Sequence, residues 1–256
     1  MTLETHLRAR RDAGRKLLVP YVTGGLGGDW VQVVAALAAA GADAIEVGIP
    51  FSDPVMDGPV VQAASERALR AGATPAGIVR ALAAVDAGVP LAVMTYYNLV
   101  FRAGHERFAS SLAGAGISGA ILPDLPLDES ADWCAAADAA GVETVLLAAP
   151  TTPDDRLSAI CERSRGFVYA VGLLGVTGER TSLAASATVM AKRLKAVTDR
   201  PVLVGVGVST AEQARQIAVE ADGVVVGSAL VRRLLEGCGP EGAAAFVAEL
   251  RDGLDA

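Results

Sequence analysis

The sequence has few of the residues that common metal, disulfide and histidine-based sites require. Its 256 residues include three cysteines and two histidines, and only 4% are aromatic. Cys134, Cys161 and Cys238 are far apart and lack metal-ligand spacing, so we expect no metal site and a reducing compartment, the cytoplasm. His6 and His105 are isolated and are interpreted as surface residues, which argues against metal-activated water and Ser-His chemistry.

Long hydrophobic runs and basic clusters are also missing. No run of about 18 apolar residues is free of glycine and charge, so we expect no membrane span. The polar, basic segment 1–16 lacks the apolar centre of a signal peptide. The net charge is −7 and the lysines and arginines are scattered, which argues against a nucleic-acid partner. Hydrophobic residues nevertheless make up 52% of the chain, so a large core of mostly small side chains is expected.

Short apolar runs alternate with longer Ala- and Leu-rich amphipathic stretches along the chain. Near-continuous apolar runs are typical of strands that are buried on both faces of a parallel sheet. The predicted strands cover residues 17–22, 43–48, 90–95, 119–123, 143–148, 166–171, 201–206 and 222–227. Eight alternating units without a linker predict one α/β domain, a single (β/α)8 TIM barrel over residues 1–256. Its N-terminal helix is expected at about 2–15 and the barrel itself at about 17–252.

An open, doubly wound sheet is the alternative fold. The number of strands and the lack of an early G-x-G-x-x-G motif favour the barrel. The interval between strand starts is longest from residue 43 to 90 and from residue 166 to 201. Because barrel active sites are built from the loops after the strands, the segments 49–59 and 172–180 are predicted to be lid loops.

Two carboxylates and a tyrosine are candidate catalytic residues. Glu46 lies in an apolar run at the end of the second strand, where burial would favour its protonated form and make it an acid usable near neutral pH. The alternative is a structural carboxylate in an ion pair. Asp57, in the first long loop, is either a turn residue before Gly58 or the partner of Glu46 in divided acid and base roles. Tyr169, in the sixth strand, either faces the barrel mouth or packs in the core.

Glycine-rich ends of the last two strands predict a phosphate site. Strand seven ends in residues 205–209 (GVGVS) and strand eight in residues 227–229 (GSA), which open a short helix. Glycine lets the backbone approach an anion, and amides at a helix start donate to it. Barrels commonly hold phosphate at these two loops, and Gly178 from the sixth loop could join them. Ordinary turn glycines are the alternative.

Several stretches together resemble the tryptophan synthase α-chain family. They are PYVTGG (20–25), AGADAIEVGIPFSDP (40–54), DGP (57–59), YNLV (97–100), LPDLP (122–126), GVTG (175–178) and GSA (227–229). They extend from about residue 17 to about residue 235, nearly the whole chain. The stretch 46–59 and GVTG are specific to the family, whereas isolated glycines are not.

The resemblance implies retro-aldol cleavage of indole-3-glycerol phosphate to indole and glyceraldehyde 3-phosphate, a carbon–carbon lyase reaction of tryptophan biosynthesis. By this resemblance, Glu46 is the acid and base, Asp57 stabilises charge at the indole nitrogen, and Tyr169 matches the family's active-site tyrosine. The phosphate would be bound by the backbone of Gly178, Gly207, Gly227 and Ser228. The indole pocket would be lined by Tyr21, Met94, Ile121, Leu147 and Val206. Thr177 matches the residue that bonds Asp57 when the sixth loop closes and excludes water.

The resemblance also implies a partner, a tryptophan synthase β subunit in an α2β2 complex that takes the indole through a tunnel. Asp53-Pro54 and a loop at 98–102 would face it, although the apolar residues of that loop could instead pack on the next helix. The pyridoxal phosphate would belong to the β subunit, and no cofactor is expected in this chain.

Three other functions are considered. A stand-alone lyase that releases free indole would share every catalytic residue. Another phosphate-binding barrel, such as an isomerase or epimerase, is disfavoured because the mouth lacks a paired His or Lys. A non-catalytic activating subunit is disfavoured because Glu46 and Asp57 are both present.

Overall fold

Eight parallel strands form a closed barrel in sequence order, with the last strand paired to the first. The computed structural model describes residues 2–171, 180–205 and 207–256. The strands are β1 (Leu17–Thr23), β2 (Ile45–Gly48), β3 (Leu91–Met94), β4 (Gly119–Ile121), β5 (Glu143–Ala148), β6 (Val168–Val171), β7 (Val202–Gly205) and β8 (Gly223–Val226). The (β/α)8 TIM barrel predicted from the sequence is confirmed, and the open sheet is excluded.

Helices cover the outside of the barrel and close its amino end. They are α1 (Leu3–Asp12), α2 (Trp30–Ala39), α3 (Pro59–Arg70), α4 (Pro75–Leu82), α5 (Tyr97–Ala103), α6 (His105–Gly114), α7 (Ala131–Ala140), α8 (Asp154–Arg163), α9 (Arg180–Lys195), α10 (Ala211–Ala218), α11 (Ser228–Leu235) and α12 (Gly239–Asp255). Within the described part of the chain, no helix has the length and apolarity needed to cross a bilayer.

The long interval between β2 and β3 contains two helices, α3 and α4, instead of one. Most of its extra length is therefore helical, and only the segment 49–58 remains as a loop beside the barrel mouth. The other predicted lid, 172–180, lies outside the described residues except for Arg180, which begins α9.

The prediction of a loop at 98–102 is wrong, because these residues lie inside α5. The carboxylate of Asp124 accepts hydrogen bonds from the Tyr97 amide at 2.9 and 3.1 Å and so satisfies a donor in the first turn of this helix. Asp124 lies after β4, the strand next to β3 in the barrel and more than 20 residues further along the chain. The local sequence around Tyr97 therefore does not reveal this cap.

Side chains alternate along each strand between two apolar layers. Leu18, Val22 and similar residues point outward and pack under the helices. Leu17, Val19 and similar residues point inward and form a separate cluster inside the barrel. This alternation is the two-residue period of a strand, and because both faces are covered, the strands are largely apolar on both.

Helix α1 closes the amino end of the barrel with two leucines. Leu3 and Leu7 are fully buried and belong to the cluster inside the barrel. A Cβ atom on Gly119 or Gly166 would lie 2.8 Å from Cδ2 of Leu3, so these glycines make room for it. With the amino end filled, the carboxyl ends of the strands are the end at which a substrate can bind.

The prediction that His6 is a surface residue is wrong. His6 is on the buried face of α1, only 7% exposed, and burial lowers the pKa of its imidazole. It lies near Asp43, which precedes β2 and accepts hydrogen bonds from Arg15 at 2.8 Å and Arg251 at 3.2 Å. His105 is half-buried on α6 and its Nε2 lies 3.0 Å from the Tyr97 hydroxyl.

Candidate active site

Glu46 lies inside the barrel near the carboxyl end of β2. It is level with Tyr21 of β1 and Ala92 of β3, and its side chain is 1% exposed. Neither carboxylate oxygen has a hydrogen-bond partner among the residues that the structure describes. Burial, and secondarily the nearby Asp57, raises the pKa of Glu46 to about 8. The group is therefore a neutral carboxylic acid at neutral pH and can donate a proton.

Asp57 occupies a different environment in the loop before α3. It is half-buried, and its Oδ2 accepts a hydrogen bond from the Tyr96 hydroxyl at 3.2 Å. Burial raises the pKa of Asp57, while the hydrogen bond from Tyr96 opposes that rise. Asp57 has a donor and is partly exposed, whereas Glu46 is buried without a donor from any described residue, so Asp57 ionises first and Glu46 retains its proton.

Two tyrosines extend across the barrel interior towards these carboxylates. A Cβ on Gly48 of β2 would lie 1.9 Å from the Tyr21 hydroxyl oxygen, and one on Gly205 of β7 would lie 2.6 Å from that of Tyr169. The glycines therefore provide the space that the phenol rings occupy. Burial strongly raises the pKa of both tyrosines, with Glu46 and Asp57 adding to the rise, so both hydroxyls stay protonated.

The candidate phosphate turns follow β7 and β8, and the second of them lies beside Tyr21. Gly207 follows β7 by two residues, has φ +65°, and has no described heavy atom within 4 Å of the place where a Cβ would be. Gly227 precedes α11, and a Cβ there would lie 3.7 Å from Tyr21. The first turn of α11, which starts at Ser228, leaves amide N–H groups without intrahelical acceptors. Both turns follow the carboxyl ends of neighbouring strands, at the end of the barrel towards which Glu46 lies.

The apolar residues predicted for an indole pocket lie along the same interior. Ile121, Met94 and Leu147 contact the cluster inside the barrel that includes Tyr169. Tyr21 contacts a second cluster, with Leu26 and Val61, against which Met94 also packs. The fold thus brings these predicted residues together in the interior of the barrel. Val206, Thr177 and Gly178 lie outside the described residues.

Tyr96 was not predicted from the sequence. It follows β3 by two residues, is 5% exposed, and contacts both Asp57 and the Met56 amide. The sequence does contain a signal for it: tyrosine occurs only four times, and Tyr96 directly follows a predicted strand. Of these four tyrosines, Tyr21 and Tyr169 lie near both carboxyl groups and Tyr96 contacts Asp57.

This fold and site define an acid–base enzyme of the (β/α)8-barrel class. A buried acid with a raised pKa, a second and more exposed carboxyl group and apolar side chains lie at the end of the barrel where such enzymes bind their substrates.

Comparison with known proteins identifies the family. A family model described as the tryptophan synthase alpha chain matches residues 7–251. The tryptophan synthase alpha chain of Streptomyces coelicolor is 46% identical over 98% of this chain and 96% of its own length. The tryptophan synthase alpha chain of Thermobifida fusca is 45% identical over 91% of this chain and 89% of its own length. A solved structure of Mycobacterium tuberculosis tryptophan synthase has a TM-score of 0.91 at 42% identity and covers 99% of this chain and 98% of that one. The chain belongs to the tryptophan synthase alpha chain family.

Membership of this family confirms the function predicted from the sequence. The chain is a carbon–carbon lyase of tryptophan biosynthesis, and its reaction is the cleavage of indole-3-glycerol phosphate. The alternative of an isomerase or epimerase barrel is therefore excluded.

Proposed function

We propose that Glu46 is the acid and base of this cleavage, that Asp57 stabilises positive charge at the indole nitrogen, and that Tyr169 lines the reacting centre. The observation that carries the proposal is the fully buried carboxyl group of Glu46, which has no hydrogen-bond partner among the described residues and lies near a more exposed Asp57. A pKa of about 8 suits a group that must first give and then accept a proton near neutral pH.

The proposed cleavage requires no reactant other than the substrate and these carboxyl groups. Neutral Glu46 donates its proton to C3 of the indole ring, and the ring becomes a cation whose N–H lies against ionised Asp57. The bond between C3 and the glycerol side chain then breaks, and its electron pair returns to the ring. The hydroxyl on the adjacent side-chain carbon loses its proton to Glu46 and becomes the aldehyde of glyceraldehyde 3-phosphate. Indole leaves, and Glu46 is neutral again.

The substrate is positioned by its two ends. We expect its phosphate on the backbone of Gly207, Gly227 and Ser228, with Gly178 contributing from the sixth loop. The positive φ of Gly207 and the start of α11 at Ser228 support this placement. The indole ring would occupy the pocket formed by the five residues Tyr21, Met94, Ile121, Leu147 and Val206, since an indole requires apolar walls. Thr177 would bond Asp57 when the sixth loop closes, and so exclude water.

A tryptophan synthase β subunit is the proposed partner, in an α2β2 complex that receives the indole. Support comes from apolar side chains at the rim of the barrel mouth, where Val55 is 79% and Phe101 is 66% exposed. They adjoin Asp53-Pro54 and the segment 98–102, now part of α5. Pyridoxal phosphate would be bound by the β subunit and not by this chain. We expect the complex to work in the cytoplasm, since Cys134, Cys161 and Cys238 are free.

An indole-release assay on indole-3-glycerol phosphate, with and without a β subunit, tests the proposal. The Glu46→Gln substitution should abolish indole release while glycerol phosphate still binds, because only the proton-transfer group is lost. The Asp57→Asn substitution should lower turnover by about two to four decades. Wild-type rates in either variant would remove that residue from the mechanism. Equal wild-type rates with and without the β subunit would favour a stand-alone lyase.

A further inference from the structure

We propose that Tyr96 is a positioning residue for Asp57, whose hydroxyl fixes the carboxylate in the place where it faces the indole nitrogen. The inference rests on the proposed role of Asp57 and goes beyond it, because Tyr96 acts through that carboxylate and not on the substrate.

The hydrogen bonds of Tyr96 have only one possible direction. The Met56 amide lies 2.9 Å from the Tyr96 hydroxyl oxygen, and an amide N–H can only donate. The oxygen therefore accepts from Met56, and the hydroxyl proton is free to be donated. Asp57 Oδ2 lies 3.2 Å from the same oxygen and is an acceptor when ionised. One hydroxyl thus contacts two successive residues of the loop, the backbone of Met56 and the carboxylate of Asp57.

Tyr96 is well fixed for this purpose. The amide of the preceding residue, Thr95, donates to the Ile121 carbonyl at 3.0 Å, which extends the β3–β4 ladder up to Tyr96. The Tyr96 ring is 5% exposed and stacks on Phe51, with a centroid distance of 5.1 Å and an interplanar angle of 25°. Helix α5 begins with the next residue. The phenol is therefore held by the barrel wall, whereas Asp57 lies in a loop before α3.

This geometry predicts a measurable electrostatic effect. The hydrogen bond from Tyr96 favours the ionised form of Asp57 and so opposes the rise in pKa that burial causes. Removing the hydroxyl leaves the effect of burial unopposed. Asp57 should then require a higher pH to become the carboxylate that the reaction needs.

The Tyr96→Phe substitution tests the inference because it keeps the ring on Phe51 and removes only the hydroxyl. We expect kcat to fall about tenfold, the usual effect of one hydrogen bond to a charged group, with KM changed less than about twofold. The acid limb of the kcat/KM profile should move to higher pH. In the Asp57→Asn background the same substitution should have little further effect on kcat, since the hydroxyl has no carboxylate left to hold.

The Tyr97→Phe variant is the matched control. It removes the hydroxyl of the neighbouring tyrosine, which lies 3.0 Å from His105 Nε2, and it should leave kcat and the acid limb unchanged in the isolated chain. Thermal unfolding of all variants separates loss of function from loss of folding.

The possible outcomes distinguish this inference from the proposed function beneath it. If Asp57→Asn is impaired but Tyr96→Phe keeps the wild-type kcat and an unmoved acid limb, the inference about Tyr96 is overturned. The proposed role of Asp57 would still stand. An equal loss from Tyr96→Phe in the wild-type and Asp57→Asn backgrounds would also overturn the inference, because Tyr96 would then act independently of Asp57. Full activity of Asp57→Asn itself would overturn the proposed role of Asp57.

Discussion

Tyr21 lies across Gly48 of the neighbouring strand so closely that a Cβ at residue 48 would be 1.9 Å from the tyrosine hydroxyl oxygen. No real Cβ contact is that short, so the phenol occupies the space that a side chain would fill. Because Gly48 of β2 has no side chain, the Tyr21 ring from β1 can extend towards the carboxylates. Tyr169 and Gly205 repeat the relationship between β6 and β7, at 2.6 Å.

The Gly48→Ala substitution should displace Tyr21 and lower kcat/KM by about one to two decades, since small misplacements of pocket residues are costly. Overpacking should also cost about 1–3 kcal/mol of unfolding free energy. Steady-state kinetics and denaturant unfolding measure the two effects. Gly28→Ala is the control, because no described heavy atom lies within 4 Å of its Cβ position and its φ is ordinary. An unimpaired Gly48→Ala enzyme would show that the position of Tyr21 is unimportant for activity.

The activity should decline on the alkaline side as Glu46 ionises. Its raised pKa of about 8 means that the proton-donating form predominates at neutral pH and is lost as the pH rises through that value. The kcat/KM profile of the isolated chain should therefore show an alkaline limb near pH 8. A profile that stays level to pH 10 would contradict the assignment of Glu46 as the proton donor.

The raised pKa of Glu46 should also make the stability of the protein depend on pH. The ordinary pKa of a glutamate is 4.5, so between 4.5 and about 8 the folded state holds a proton that the unfolded state has lost. The free energy of unfolding should fall as the pH rises through this window and then level off. Glu46→Gln removes this contribution, so at pH 8 its free energy of unfolding should exceed that of the wild type by on the order of 4 kcal/mol. Urea unfolding at pH 5 and pH 8 checks this. Equal differences at the two pH values would show that Glu46 ionises normally.

The amino end of the barrel should affect stability without affecting catalysis. Leu3→Ala opens a cavity beneath Gly119 and Gly166 and should lower the free energy of unfolding by about 2–5 kcal/mol. Because the proposed site lies at the opposite end, kcat at low temperature should remain near wild type. Val219→Ala, at a side chain that is 70% exposed, should change stability by less than about 0.5 kcal/mol. A large loss of kcat in a folded Leu3→Ala variant would contradict this separation.

Local sequence patterns failed where the deciding contact came from a distant part of the chain. Residues 98–102 were expected to form a loop, but Asp124 caps the helix that contains them. His6 was expected on the surface, but α1 turns that face towards the barrel. The local sequence does not reveal the role of Tyr96, because that role depends on contacts with Met56 and Asp57, some 40 residues earlier in the chain. In each case the local sequence is compatible with either outcome.

The sequence by itself determined the barrel, because strands buried on both faces must be mostly apolar and that pattern recurs eight times. It also marked Glu46, since a carboxylate inside such a run has no structural reason to be there unless it is paired or functional. Only the tertiary structure decided that Glu46 has no hydrogen-bond partner in the described part of the chain, that burial near Asp57 raises its pKa, and that the Tyr96 hydroxyl contacts Asp57. Burial and hydrogen bonding depend on the distances between groups from different strands, and closing the barrel sets those distances.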